Sequence, residues 1–212
     1  MKRLGMFLLT VFIVAVPASA GDYYFDLFVG PNKTDDTRFA VLGTSTIATD
    51  FDTGFNFGAS FGYDFDSQWR IEGELSARNA DVDSHDLDGG GPIAGSFGEA
   101  KSMSIFANGF YDFDNKTRVT PYVGVGLGMV NVDYSGFGVP GLPALDDDDD
   151  VFGYQVAAGI AIKINDRWDF RTDFRMLQAE DASLVSSTAT ASTPSDVEYS
   201  TFDMTAGVRI KF

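Results

Sequence analysis

From Asp22 to Phe212, apolar and polar residues alternate one by one in segment after segment, and very short connections between segments alternate with long ones. Period-2 alternation places successive side chains on opposite faces of a strand, and sustained helical spacing is hard to find. Eight strands are predicted: Asp22–Val29, Phe51–Phe65, Trp69–Ala80, Lys101–Phe113, Val119–Tyr134, Val151–Ile164, Trp168–Leu177 and Tyr199–Phe212. Only DSQ, DNKTR and NDR separate the second from the third, the fourth from the fifth and the sixth from the seventh. The other connections, near Gly30–Asp50, Asp81–Gly98, Ser135–Asp150 and Gln178–Glu198, are several times longer and rich in Gly, Asp, Ser and Thr. The pattern implies an antiparallel up-and-down meander with two different ends. A weak repeat of the short hairpins (GYDFDSQWRIEGEL, GFYDFDNKTRVTPY, IAIKINDRWDFRTDF) groups the strands in pairs.

The N-terminus combines Lys2 and Arg3, an apolar run from Met6 to Val16, and Ala18-Ser19-Ala20 before Gly21. This is the form of a secretory signal, cleaved after Ala20. The run is shorter than the ~20 residues of a membrane-spanning helix. Two regions follow: a signal peptide, 1–20, and one domain, 21–212. Removing Lys2 and Arg3 takes the formal charge from -16 to -18. So acidic a chain argues against nucleic acid as a partner. It contains no cysteine, hence no disulfide framework and no lipid-bearing N-terminal thiol.

One face of the strands is consistently apolar: Leu27 and Val29; Phe55, Phe57 and Phe61; Ile71 and Leu75; Met103 and Ile105; Val123, Val125, Leu127 and Met129; Val156, Ile160 and Ile162; Phe174 and Met176; Met204, Val208, Ile210 and Phe212. Alternation alone does not say whether this face points inward or into lipid. The opposite face decides, because it holds Gly54, Gly58, Gly62, Gly124, Gly126, Gly128, Gly153 and Gly159 beside many charges. Glycine makes a poor solvent face, whereas small residues beside opposite charges suit a narrow, filled polar interior. The fold class is therefore all-β: an eight-stranded antiparallel up-and-down transmembrane β-barrel with oil facing out. Tyr23, Phe25, Tyr63, Phe65, Trp69, Tyr111, Phe113, Trp168, Phe170 and Phe212 all fall at the short-turn end, as an interfacial aromatic girdle requires.

PYVGVGLG at Pro121–Gly128, GYQVAAGIAIKI at Gly153–Ile164 and the closing TAGVRIKF resemble the small outer-membrane β-barrels typified by OmpA, OmpX and the opacity proteins. The resemblance covers nearly all of 21–212 and implies residence in a bacterial outer membrane. It also implies that Val208, Ile210 and Phe212 form the signal read by the outer-membrane insertion machinery. The peptidoglycan-binding domain that follows the barrel in OmpA is not found here, which weakens a role in tethering envelope to cell wall.

The interior set comprises Asp26, Arg70, Glu72, Glu74, Arg78, Lys163, Asp169, Arg171, Asp173, Arg175, Asp203, Arg209 and Lys211. Its near-balance of signs favours mutually satisfied pairs over a selective pore, because an unpaired buried charge is costly. A narrow path along the glycine wall is the alternative, with Phe106, Phe110 and Tyr122 expected to refill that space. Some small outer-membrane barrels act on lipid A with His, Ser and a carboxylate. Here His85, the one histidine, lies beside Ser84, Asp83 and Asp86 in a glycine-rich loop, where convergence of a triad is not expected.

Asp81, Asp83, Asp86, Asp88 and the run Asp146–Asp150 lack the spacing of a calcium loop, so no metal site or cofactor is assigned. They are expected to be solvated loop tips, with divalent cations shared with lipopolysaccharide phosphates as a further possibility. Ser183–Asp196 is expected to be mobile, and the Asn32 and Asn115 glycosylation patterns are taken as chance. The reading is a monomer among outer-membrane lipid and lipopolysaccharide, serving envelope integrity or surface contact and adhesion without catalysis. A porin-like channel is the alternative, and a lipid A-modifying enzyme ranks below it.

Overall fold

The computed structural model describes residues 21–212 except 36, 42–44, 66, 88–90, 93–96, 139–144 and 189–190; the expected signal segment 1–20 lies outside them. Among the described residues, eleven strands follow one another: β1 (Asp22–Thr34), β2 (Thr37–Val41), β3 (Ser45–Phe51), β4 (Thr53–Asp64), β5 (Trp69–Leu87), β6 (Gly91–Pro92), β7 (Phe97–Asp112), β8 (Val119–Gly138), β9 (Leu145–Lys163), β10 (Trp168–Thr188) and β11 (Ala191–Lys211). Eight of them, β1, β4, β5 and β7 to β11, pair antiparallel with their chain neighbours, and β5 pairs directly with β7. The first strand then meets the last, from Tyr24 opposite Lys211 to Thr34 opposite Thr201, and the barrel is closed. Closure leaves no unpaired edge in lipid, where an unmade backbone hydrogen bond costs several kcal/mol.

The short turns are pinned locally. Asn165 Oδ1 accepts from the backbone N–H of Arg167 and Trp168 at 2.9 and 3.0 Å. Asn115 Oδ1 accepts from Thr117 N–H at 2.8 Å, so that Asn-x-Thr pattern serves a turn.

The strands depart from expectation at the opposite end. The expected strand Phe51–Phe65 breaks at Asp52, whose N–H donates to Asp81 C=O at 2.9 Å. Phe51 instead ends β3, which otherwise falls in the expected connection Gly30–Asp50; β3 pairs with β2 and with the outer half of β5, forming a small side sheet to which β6 adds. Much of what was expected to be loop is paired strand. Asp81, Asp83 and Asp86 belong to β5, with His85 opposite Thr49, and Asp88 lies outside the described residues. Asp146–Asp150 belong to β9, where Asp148 sits opposite Asp133. Of Ser183–Asp196, expected to be mobile, the described residues form paired strand, from Ser183 opposite Asp196 to Thr188 opposite Ala191. A ladder already formed in the membrane continues outward at little cost, and where both faces are wet it needs no apolar alternation to mark it.

The apolar face points out. Val125 is 66% exposed, Met103 65% and Phe55 63%, values that suit lipid and would be untenable in water. The pattern then inverts along each strand. On β8 the outward positions Val123, Val125, Leu127 and Met129 give way to Asn131 and Asp133, while inward Gly124, Gly126 and Gly128 give way to buried Val130 and Val132. On β10 outward Phe174 and Met176 give way to Gln178 and Glu180, while inward Arg171, Asp173 and Arg175 give way to Leu177 and Ala179. The inversion marks where the barrel leaves the bilayer, about ten residues from the short turns, the length a tilted strand needs to cross.

Candidate functional site: a two-storey interior

Between the short turns and the inversion, the inward side chains form one connected polar network. Asp26 accepts from Arg209 Nε and Nη2, each at 2.9 Å, and from Arg171 Nη1. Glu72 accepts from Tyr24 Oη at 3.0 Å. Glu74 takes Arg175 Nη1 and, at 2.9 Å, Asn108 Nδ2. Asp173 accepts from Tyr122 Oη at 2.6 Å, Arg175 Nε at 2.7 Å and Thr205 Oγ1 at 2.9 Å. Asp203 pairs with Arg78, Nε at 2.9 Å and Nη2 at 2.8 Å, and accepts from Asn56 Nδ2 at 2.9 Å.

Five buried arginines (Arg70, Arg78, Arg171, Arg175, Arg209) face five buried carboxylates (Asp26, Glu72, Glu74, Asp173, Asp203), with Arg70 reaching on to the short-turn rim. These ten charges balance, and Asp112 adds one partly exposed carboxylate at the rim. At the rim, Lys211 Nζ pairs with Asp169 Oδ2 and Arg70 Nε with Asp112 Oδ2, both at 2.7 Å. Lys163 does not join them: its ammonium is exposed and pairs at 2.8 Å with Asp166 in the adjacent turn. Alternation gives its inward parity, but it is the last residue of β9, and its long stem reaches the turn carboxylate without desolvation. That hydrogen bond and the opposite charge raise the Lys163 pKa above its usual value and lower that of Asp166.

Aromatic rings fill the remaining space. The Arg209 guanidinium lies 4.0 Å from the Tyr24 ring centroid, Arg70 4.5 Å from Phe110 and Arg175 4.6 Å from Phe28. The glycine wall is where these rings press. A β-carbon at Gly124 would fall 2.3 Å from the Phe110 ring, and one at Gly126 1.9 Å from Asn108 Oδ1. Glycine here makes room for the side chains that fill the interior.

Above the network, the inverted part of the strands encloses an apolar cluster of Phe51, Ala80, Ala100, Phe106, Val130, Val132, Val151, Leu177, Ala179 and Tyr199. This cluster forms an apolar plug above the network. Sequence reasoning missed it, along with the neutral polar partners Tyr24, Asn56, Asn108 and Gln155. The available signal was the parity reversal in VNVD at Val130–Asp133 and in LQAE at Leu177–Glu180.

The ten aromatic residues of the expected girdle lie at the short-turn end. Tyr23, Tyr63 and Phe65 contact one another in series, as do Trp69, Tyr111 and Phe113, in tilted or edge-to-face pairs with centroids 4.9 to 5.1 Å apart. Trp168 and Phe212 are exposed, Phe170 borders on exposed and Phe25 is half-buried. Of the terminal residues, Val208 and Ile210 face outward, and Phe212 N–H donates to Tyr23 C=O at 2.9 Å.

Charge is segregated along the barrel axis. Segments 35–53, 79–101, 131–151 and 178–200 carry nineteen of the 31 acidic residues and two basic ones, Arg38 and Lys101. The rest of residues 21–212 is close to neutral, so these four segments carry almost all the net negative charge of that stretch. Among the described residues, no group of three or more acidic or histidine side chains is arranged to hold a metal ion.

Residues 6–212 match the family model of the outer membrane protein β-barrel domain. The chain is 25% identical over 167 residues to outer membrane protein PagN of Salmonella typhimurium, covering 72% of this chain and 69% of that one. Its fold resembles that of neisserial surface protein A, with a TM-score of 0.58 and 17% identity, covering 92% of this chain and 100% of the other. It also resembles the outer membrane protease OmpT of Escherichia coli, with a TM-score of 0.57 and 9% identity, covering 90% and 97%. At such identities the two structures share a fold and carry no activity across. The chain belongs to the outer membrane protein β-barrel family and resides in the bacterial outer membrane.

Proposed function

We propose that this protein is a closed, non-catalytic barrel that holds an acidic extension above the outer membrane for contact with its surroundings. The observation that carries the reading is the apolar plug seated on a neutral, internally paired network. A conducting pore needs a hydrated path, and here the outer storey is apolar and the inner one is occupied by ion pairs. An enzyme needs a nucleophile or an acid–base pair held in a shaped site. The ionised side chains of the described interior are committed to one another, which supports a structural role for them.

Surface contact then rests with the parts beyond the inversion: the β2–β3 sheet, the outer ribbon of β10 and β11, and the acidic ends of β8 and β9. Lipopolysaccharide surrounds the barrel, and divalent cations bridge its phosphates to the acidic extension. The barrel acts as a monomer, and Val208, Ile210 and Phe212 address it to the insertion machinery. The test is to replace 181–198 and, separately, 37–50 by short turns, verify closure by a heat-dependent gel shift, and measure attachment of cells bearing each variant. Loss of attachment with closure intact supports the reading. Unchanged attachment in both variants refutes it.

A further inference from the structure

The plug draws on β5 and on β7 to β11, with Phe51 from β3, and takes nothing from the adjacent walls β1 and β4. The inward residues of β1 at that height are Asn32 and Thr34, and their cross-strand neighbours are Asp203 and Thr201 on β11 and Gly54 on β4. Asn56 lies one inward position below Gly54. These side chains are short and polar, whereas the far wall contributes Phe106, Val130, Val151 and Leu177.

Several of their polar atoms find no hydrogen-bond partner on the protein. Both amide atoms of Asn32 lack one, as do Asn56 Oδ1, Thr201 Oγ1 and Asp203 Oδ1. All four residues are at most 2% exposed. Leaving such groups unmatched costs about 1–3 kcal/mol each, which a native protein avoids by supplying a partner. Asn32 cannot simply be replaced by bulk from across the ladder, because a β-carbon at Gly54 would fall 2.5 Å from Asn32 Oδ1.

We propose that Asn32, Asn56, Thr201 and Asp203 form a binding site for a small cluster of buried water molecules, set beside the plug on the β1 wall. The ligand must both donate and accept, because the unpartnered atoms on these neighbouring positions include acceptor oxygens and the Asn32 amide N–H group. Charge selects between water and a cation. Asp203 is already neutralised by Arg78, and the inner storey has as many arginines as carboxylates. An added cation would sit uncompensated in a buried region, whereas water satisfies the same atoms without net charge. The site makes β1 the wetted side of an otherwise dry closure. It does not depend on the surface-contact reading, since a conducting barrel could hold it equally.

The test is a crystal structure at a resolution that shows ordered water, with a second crystal soaked in rubidium chloride and a third of Thr201→Val. The expected result is ordered water density within hydrogen-bond distance of Asn32 and Asp203, no rubidium anomalous peak, and loss in Thr201→Val of the water nearest position 201. Two results would overturn the proposal. One is a rubidium peak in the site, which would make it a cation site. The other is a dry site in which the Asn32 amide turns to pair with its neighbours.

Discussion

Asp26 is the most heavily engaged carboxylate of the interior. It is fully buried and receives two bonds from Arg209 and one from Arg171. Asp26→Ala leaves those guanidiniums facing each other and Arg70 with one carboxylate fewer. Breaking a buried pair by deleting one partner costs roughly 3–5 kcal/mol, chiefly because the other charge stays buried and uncompensated. With a urea dependence of about 2 kcal/mol per molar, the unfolding midpoint drops by about 2 M. The assay is urea titration of the barrel in vesicles, followed by tryptophan fluorescence and by the heat-dependent gel shift. Asp26→Ala combined with Arg209→Ala should recover part of the loss, because the two groups act on each other. Lys163→Ala should leave the midpoint essentially where the parent has it, as for an exposed pair. If Asp26→Ala costs under about 1 kcal/mol, or if the double variant is simply additive, the interior is more hydrated and less coupled than the distances indicate.

Three further expectations follow from the same geometry. Gly126→Val drives its side chain into Asn108 and should abolish the gel shift, whereas Gly73→Ala and Gly109→Ala, whose β-carbons would meet nothing within 4 Å, should leave it intact. Met103→Arg on the lipid face should cost about 2–4 kcal/mol, while Asn131→Arg, beyond the inversion, should cost about 1 or less; urea midpoints separate them. Asp166 should titrate below the usual aspartate range by carbon-detected NMR and return toward it in Lys163→Met. Its lowered pKa means that whatever stability the pair supplies is present above the ordinary aspartate pKa and is lost as pH falls through the lowered value.

The lipid-facing side of this barrel was legible because membrane strands obey a strict alternation, and glycine on the polar face excluded a soluble core. Most of the charged interior was legible for the same reason, since parity alone assigns Arg171, Asp173 and Arg175 to one side. Lys163 shows the limit. Parity gives direction at a strand's end but does not hold a long side chain inside when Asp166 waits in the turn. The plug was hidden for a deeper reason: Val130 and Val132 fall within the expected strand Val119–Tyr134 but on the face that had been polar, so a reading that gives each face one character along the whole strand does not see the interior turn apolar there. The ribbon 181–198 was hidden because its small polar residues leave no contrast between faces.

Closure of the interior is the central claim, and single-channel recording of residues 21–212 refolded into a planar bilayer tests it most directly. A gel-shifted, folded barrel should be silent, and replacing the plug residues Phe106 and Leu177 by serine should introduce discrete conductance steps. Reproducible steps from the unmodified barrel would contradict the account, because an apolar storey seated on a neutral ion-pair network leaves no path for an ion.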